Sequence, residues 1–556
     1  MSMTEPRDSI HTGGRAPALA TPALQALRDA VGTAHVLTDA AALERYSTCT
    51  IPWQRDCAAV VFPGSADEVA AVLRAAGAHG LSVWPFSGGR NWGYSTTLAC
   101  ANGAVVMVLQ RMNRILEVNE ELAYAVIEPG VSYEQLNAHL KQHRHRLWVD
   151  CIDGTSQGTV IGNALDRGVG ETPYGDHFGN LCGMEVVLPD GQIVPVGGDD
   201  RGLKTWHLHK WGVGPYLEGM FTQSNFGVVT KAGIWLMPEP EAYNSWVFEL
   251  AGPEHLPAVI DAFRELALQG IVTTKLHMIN DMVSFTVVTQ RIEQHRLGGS
   301  YLSADELAAL RKQYGISPLT CAGGIYGTRA QVRLQRRLLK RAVGRHGRLL
   351  FISDGLVAVL ERVLAAAWQR PWLKQVVERV AGASLQVLDS SPHVHRILQG
   401  IPTDYFVKHA YYRSRRRRPE TAIDPARDGC GLIWFAPILP FTSQHMLPFL
   451  DQARQRFEQA GLDFWVAAML MNPRSVTCLM NILYDKDDPD ETRRAAALYA
   501  QLVSDMRAAG YQQYRASLLA WSGLYQDAPT VGRLNATLKA AVDPGNILAP
   551  GRYGIG

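Results

Sequence analysis

A chain of 556 residues is longer than one hydrophobic core serves, so two or three domains are expected. With 47% hydrophobic and 19% charged residues its composition is globular, which sets aside disordered and fibrous classes. The net charge of +2 provides no general attraction to nucleic acid or an anionic membrane, and the eight scattered cysteines form no C-x-x-C pair.

In chain order, the opening MSMTEPRDSIHTGGRAP carries acids and no apolar h-region, so it does not read as a secretory signal. No uninterrupted apolar span reaches bilayer length, and a reducing cytoplasm is the default expectation. TPALQALRDAVG reads as a capped helix. A β-rich run, Ala58 to Phe62, leads through a turn to an N-cap at Ser65 and an amphipathic helix with Val69, Val72 and Leu73 on its apolar face. Gly77 and Gly80 close that helix before a second strand, LSVWPF, giving a β-α-β unit. AVVMVL, AYAVIEPG, GVVTKAGIWLMP and a hairpin around Asp190-Gly191 read as further strands, with SYEQLNAHLKQH a helix among them. From about residue 241 apolar runs such as NSWVFEL and MVSFTVVTQ read as strands and alternate with longer helices, including SADELAALRKQYG, QVRLQRRLLKRAVG and HMLPFLDQARQRFEQAG. The arginine run of Ser414 to Pro419 reads as a solvated loop, with a phosphate or protein contact as its alternative. A helix and a proline- and glycine-rich tail end the chain.

Directly after LSVWPF comes PFSGGRNWGYS, residues 85 to 95. Glycines at 88, 89 and 93 allow φ > 0 and close approach of backbone N–H groups to an anion, and Ser87, Arg90 and Asn91 add donors. Alone, such a loop is equally a tight surface turn. It is neither a P-loop nor a G-x-G-x-x-G opening a helix, which argues against a Rossmann site.

Two further glycine-rich stretches follow, IGNALDRGVGETPYGDHFGN (161–180) and FTQSNFGVVTKAGIWLMP (221–238), and the chain ends in AVDPGNILAPGRYGIG. In this order the four stretches resemble the vanillyl-alcohol oxidase and p-cresol methylhydroxylase family of flavoproteins, from about residue 40 to the C-terminus. The resemblance implies an α+β fold: a two-subdomain FAD-binding domain in residues 1–240 (core about 54–239) and a separate α+β substrate or cap domain in 241–509. Residues 510–556 then return to the FAD domain and active site. It implies FAD wrapped at its pyrophosphate by Pro85, Ser87, Gly88, Gly89, Arg90, Asn91 and Gly93. Gly162, Asn163, Gly170, Tyr174, Gly175 and His177 would line the cofactor, joined by Gly227, Val228, Val229 and Arg552.

The resemblance also implies the chemistry. Tyr94 matches a tyrosine that projects toward the substrate, and Tyr514 and Arg515, in YQQYRAS, match a tyrosine-arginine pair; together they hold a phenol as its phenolate. A guanidinium and two phenolic donors around one oxygen do favour the anion. The phenolate then eases hydride loss from the para benzylic carbon to flavin N5 through a p-quinone methide. Asp153 corresponds to an aspartate near N5, with Asp150 three residues away and a turn-capping role as the alternative.

Two departures suggest a remodelled pocket. Many relatives tether the flavin through a histidine or tyrosine, but that place falls at Leu432, so FAD is expected to be non-covalent; His409, Tyr411 and Tyr412 stand nearby. Glu171 replaces a tyrosine and either pairs with Arg167 or another arginine, or meets a polar substrate group or serves as acid/base. Thr477 and Cys478 likewise replace paired histidines of the family. The histidines of HRHR (143–146) and HLH (207–209) lack ligand-spaced company and read as packing or surface residues, with no metal expected. The leading expectation is a phenol-oxidising flavoenzyme. Its rivals are FAD-dependent oxidation of a non-phenolic alcohol or amine in a biosynthetic pathway, or a flavin protein without turnover. Oxygen or a cytochrome c would accept electrons, and a homodimer or larger assembly is expected.

Overall fold

The computed structural model describes residues 18–95, 97–199, 201–294 and 300–556; the opening segment, 1–17, lies outside the described residues. The strand Cys57–Val61 is buried throughout. The helix Ala66–His79 starts where Ser65 accepts from the Glu68 N–H, and stops at Gly80, whose φ of 64° is left-handed. Its apolar face, Val69, Val72 and Leu73, packs on the first sheet. The strand Val83–Phe86 follows, but it does not pair directly with Cys57–Val61. Ala104–Val108 inserts between them, parallel to both, and Val36–Leu37 closes the other edge.

A second sheet is antiparallel and five-stranded, ordered Ile115–Asn119, Tyr124–Ile127, Val228–Trp235, Leu181–Val187, Ile193–Val196. Its last pair is the hairpin expected around Gly191, where φ is 85°. The third sheet has nine strands, with Ala242–Leu250, Leu319–Gly327, His277–Asn280, Val466–Asn472 and Ser475–Tyr484 through its middle. Helices Leu256–Leu268, Arg329–Val343, Ser443–Gln459 and Pro489–Ala508 pack around it, so helix and antiparallel sheet are combined as an α+β fold. One apolar core runs from Trp84 of the first sheet through Trp521 to Trp246, Phe248 and Phe435 of the third.

One local expectation fails. MVSFTVVTQ is largely the helix Asp281–Val288, with Met282, Phe285, Thr286 and Val287 buried. A run buried on several faces loses the alternation that separates strand from helix, so tertiary packing decides. The arginine run is a loop as expected, exposed at Arg415, Arg416 and Arg417, with ion pairs at its start. Arg413, just before it, forms buried ion pairs with Asp463 and Glu491, and Arg415 reaches Asp485 and Asp488. Among the described residues no helix is long and apolar enough to cross a membrane.

The C-terminal segment returns to the first sheet. Val83 N–H donates to Ile547 O and Ala549 N–H to Val83 O, both at 2.8 Å, beside the glycine-rich loop. Lys539 pins this return: its ammonium, 2% exposed as a residue, pairs with Asp543 and donates to Asn225 O and Leu548 O. Lys539→Met leaves Asp543 buried and uncompensated. The expected cost is about 3 kcal/mol, read as a lower Tm and as protease cleavage of the tail beyond residue 542.

Candidate active site

The bare loops expected to hold an anion meet at one large cavity. Its wall includes Pro85, Ser87, Gly88, Gly89, Arg90 and Asn91 from the first loop, and Gly162 and Asn163 from the second. Gly227, Val228, Val229 and Arg552 join from the third stretch and the tail. The backbones pack too closely for side chains. A Cβ on Gly162 would stand 2.2 Å from Ser87 Oγ, and one on Gly88 would stand 3.0 Å from Thr159 Cγ2. Gly89 adopts φ 65°. Ser87 and Thr159 hydroxyls bond at 2.5 Å, joining the first two loops. Buried Nε atoms of Arg515 and Arg552 find no hydrogen-bond partner among the described residues, although both side chains line the cavity. Bare backbone, amide and hydroxyl donors and two guanidinium groups on one wall suit a long dianionic cofactor such as FAD.

Not every residue expected at the cofactor lines the cavity. Gly93 (φ 77°) permits contact between the two halves: a Cβ there would lie 2.5 Å from Trp434 Cδ1. Gly170 and Gly175 close a turn through Gly170 N–H to Gly175 O at 2.9 Å, with Tyr174 packed beside it. His177 is buried behind the wall, Nε2 at 2.6 Å from Asp150 and Nδ1 at 2.6 Å from Asn163. It buttresses Asn163 rather than facing outward. Asp150 also accepts from the N–H groups of Glu171 and Thr172, a turn-holding role.

Tyr94, Tyr514 and Arg515 come together at this cavity. Tyr94 is buried, its ring 4.4 Å beneath the Arg515 guanidinium, and its hydroxyl neighbours that of Tyr514. Burial, then the Tyr514 phenol, push Tyr94 well up despite Arg515, so it stays a neutral donor. Arg515 donates to Asp166 at 2.7 Å and to Asn91 Oδ1 at 2.6 Å. Burial opposes the charge on Arg515, but Asp166 outweighs it and keeps the guanidinium protonated. Asp166, which the sequence did not single out, is itself buried yet held below the usual carboxylate range by Arg515 and Arg552.

A second polar group lines the same cavity. Asp153 is exposed to the open cavity, yet the protein crowded around its carboxyl, and then Glu171, push it up to about 6 against the pull of His277. Glu171 does not pair with Arg167, whose guanidinium bonds Thr222 Oγ1; its carboxylate meets His277 Nε2 at 2.7 Å. Nothing local in the sequence marks His277, which sits at the start of the strand His277–Asn280. Between these groups the wall is aromatic and apolar: Trp434 stands edge-on to Trp465 at 5.3 Å, with Met469, Leu479 and Leu432 around them. Thr477 and Cys478 are buried in the strand Ser475–Tyr484 and do not line the cavity. His409 does line it. Its Nδ1 bonds Phe406 O, its Nε2 has no partner among the described residues, and burial pushes it down to about 4. Tyr411 and Tyr412 are buried away from the wall.

Residues 57–197 match an FAD binding domain. A 1'-carboxy-chondrochloren decarboxylase of Chondromyces crocatus is 36% identical over 537 residues, 96% of each chain. The flavoprotein subunit of 4-cresol dehydrogenase (hydroxylating) from Pseudomonas putida is 28% identical, covering 100% of this chain and 99% of that one. A crystal structure of p-cresol methylhydroxylase with substrate bound superposes with a TM-score of 0.84 at 27% identity, over 96% of both chains. A 4-ethylphenol oxidase from Gulosibacter chungangensis, in complex with isoeugenol, gives 0.86 at 26% identity, over 98% of this chain and 99% of that chain. The bare loops, donor-rich wall and full-length similarity lead to one assignment: the chain belongs to the vanillyl-alcohol oxidase and p-cresol methylhydroxylase family and is an FAD-dependent oxidoreductase.

Proposed function

We propose that the enzyme oxidises a para-substituted phenol at its benzylic carbon. The observation that carries this reading is the convergence of two tyrosines and a buried, paired arginine on one cavity walled by tryptophans. FAD, when bound, supplies the hydride acceptor. The chain's residues prepare the donor. Tyr94 and Tyr514 offer hydroxyl protons to the phenol oxygen, and Arg515 adds a fixed positive charge, so the substrate binds as phenolate. Charge pushed from that oxygen into the ring stabilises the p-quinone methide left by hydride loss. Trp434 and Trp465 provide flat apolar faces that orient an aromatic ring and exclude water. Asp153 stands ready to give or take a proton near neutral pH, the range a general acid/base needs.

A second reading, oxidation of a non-phenolic alcohol or amine, is favoured by the carboxylates Asp153 and Glu171 on the cavity wall. A phenol and amine panel mixed anaerobically with the protein separates the two by which class bleaches the flavin. The family resemblance further supports an assembly of two or more copies, with oxygen or a cytochrome c as electron acceptor. Readmitting air after anaerobic bleaching reports which.

FAD is held without a covalent bond in this proposal, because Leu432 stands where many relatives carry the attaching side chain. His409 is the wall residue able to contradict it. Acid denaturation should release the flavin into the supernatant; yellow colour kept on the polypeptide and lost in His409→Ala would overturn the point. Arg515→Ala should slow phenol-driven bleaching by about 10²–10³-fold with FAD still bound; wild-type rates would end the phenolate mechanism. For Asp153 the folded pKa lies above the unfolded one, so its protonation favours folding below the unfolded value, and that benefit is lost as pH rises through about 6. Asp153→Asn removes the ionisation and should raise stability above pH 6; because Asp153 is exposed to the cavity and screened, the gain is on the order of a few tenths of a kcal/mol. The gain should vanish near pH 4, as followed by Tm across pH.

A further inference from the structure

Glu171 is 4% exposed, and among the described residues its carboxylate has one hydrogen-bond and ionic partner, His277 at 2.7 Å. The backbone around Glu171 is fixed on both sides: its N–H and that of Thr172 donate to Asp150, and Thr274 Oγ1 donates to its carbonyl at 2.9 Å. A carboxylate buried with an imidazole as its ionic partner costs stability that an apolar pair would not, so the arrangement calls for a use. Its geometry has one. The carboxylate engages Nε2, which leaves Nδ1 as the ring nitrogen without a hydrogen bond among the described residues, on a side chain that lines the cavity. A carboxylate that fixes an imidazole by one nitrogen sets the ring's orientation and stabilises the cation formed when the other takes a proton.

We propose that His277, oriented by Glu171, is the proton acceptor for a hydroxyl on the carbon being oxidised. The inference rests on the benzylic-oxidation reading of this site. In the step, the benzylic C–H bond breaks and its electron pair leaves as hydride to oxidised FAD, the class of oxidant the family uses. The substituent O–H bond breaks, its proton passes to His277 Nδ1, and the carbon–oxygen bond becomes a carbonyl. The carbon is oxidised by two electrons and FAD is reduced by two. Glu171 is a positioning residue, since it acts through His277.

The groups facing His277 are Glu171, Asp153 and, two residues before it in sequence, Lys275, whose ammonium is turned to Met471 O at 2.9 Å. Asp150, Cys151 and Tyr326 surround Glu171 in turn. Burial alone would push His277 down, but the Glu171 charge and hydrogen bond, with Asp153, outweigh it, so the ring sits above its ordinary value. Only the neutral ring accepts a proton. Oxidation that uses it therefore rises with pH through that raised value.

The test compares two phenols, 4-ethylphenol and 4-(1-hydroxyethyl)phenol, by anaerobic bleaching of the FAD-loaded protein. His277→Gln should slow bleaching by the hydroxylated phenol about 100-fold and leave 4-ethylphenol within about 3-fold, a loss too selective for misfolding. Glu171→Gln should keep both substrates active and move the pH rise for the hydroxylated one to lower pH, since the charge that lifts His277 is gone. In Asp153→Asn the rise should persist, which assigns it to the imidazole. Equal slowing of both substrates by His277→Gln, no slowing of either, or an unmoved pH rise in Glu171→Gln would overturn the role of His277 while leaving benzylic oxidation standing. Failure of both phenols to bleach the wild-type flavin would overturn the benzylic reading itself, and this role with it.

Discussion

The buried carboxylate of Asp166 is the junction on which the site depends. It sits at the C-terminal end of the short helix Val160–Leu165 and accepts from Arg515 at 2.7 Å and from the Tyr553 hydroxyl at 2.8 Å. Asn91 of the glycine-rich loop also donates to it. Segments some 350 residues apart in the chain are thereby fixed around one charge. With Arg515 and Arg552 near a single anion, the cluster carries a surplus of positive charge at the cavity. That surplus is what a bound anion, cofactor or phenolate, would neutralise.

The parts of the fold that were legible in the sequence are those with local causes. Ser65, Gly80 and the apolar faces of 66–79 specify a capped helix between two strands whatever surrounds them. The same signals cannot say that Ala104–Val108 will slide between those strands, because strand order is set by long-range pairing. The helix Asp281–Val288 was missed for a related reason. Valine and threonine favour strands in a half-buried sheet, but this segment packs its β-branched residues into a core from more than one side.

The site divides along the same line. Tyr94, Tyr514 and Arg515 stand in stretches recognisable by their neighbours, and the structure brings them to one cavity. His177 and Gly170 lie in an equally recognisable stretch, yet they shape the turn instead of lining it: a Cβ on Gly170 would fall 1.7 Å from Asp150 Oδ2. A stretch can thus be required for a site while half of its residues never face the ligand. Asp166 lies within that very stretch, but nothing local marks a carboxylate whose partners stand elsewhere in the chain. His277 had no signal at all, being one histidine at the start of a strand.

These absences of signal fall on the features that most distinguish this cavity. The corner proposed to bind a phenol is built from groups whose charge stays constant across neutral pH: a neutral Tyr94 and a protonated Arg515. The opposing chemistry of Asp153, Glu171 and His277 is titratable, with Asp153 near 6 and His277 above its usual value. Fixed charge suits a task that must not vary, namely holding an anion. Titratable groups suit one in which a proton changes hands. A tyrosine in place of Glu171 would remove the carboxylate that orients His277 and lifts its pKa, and with it one of the two causes that lift Asp153. That one side chain therefore sets how His277 is held and the pH at which its ring is free to take up a proton.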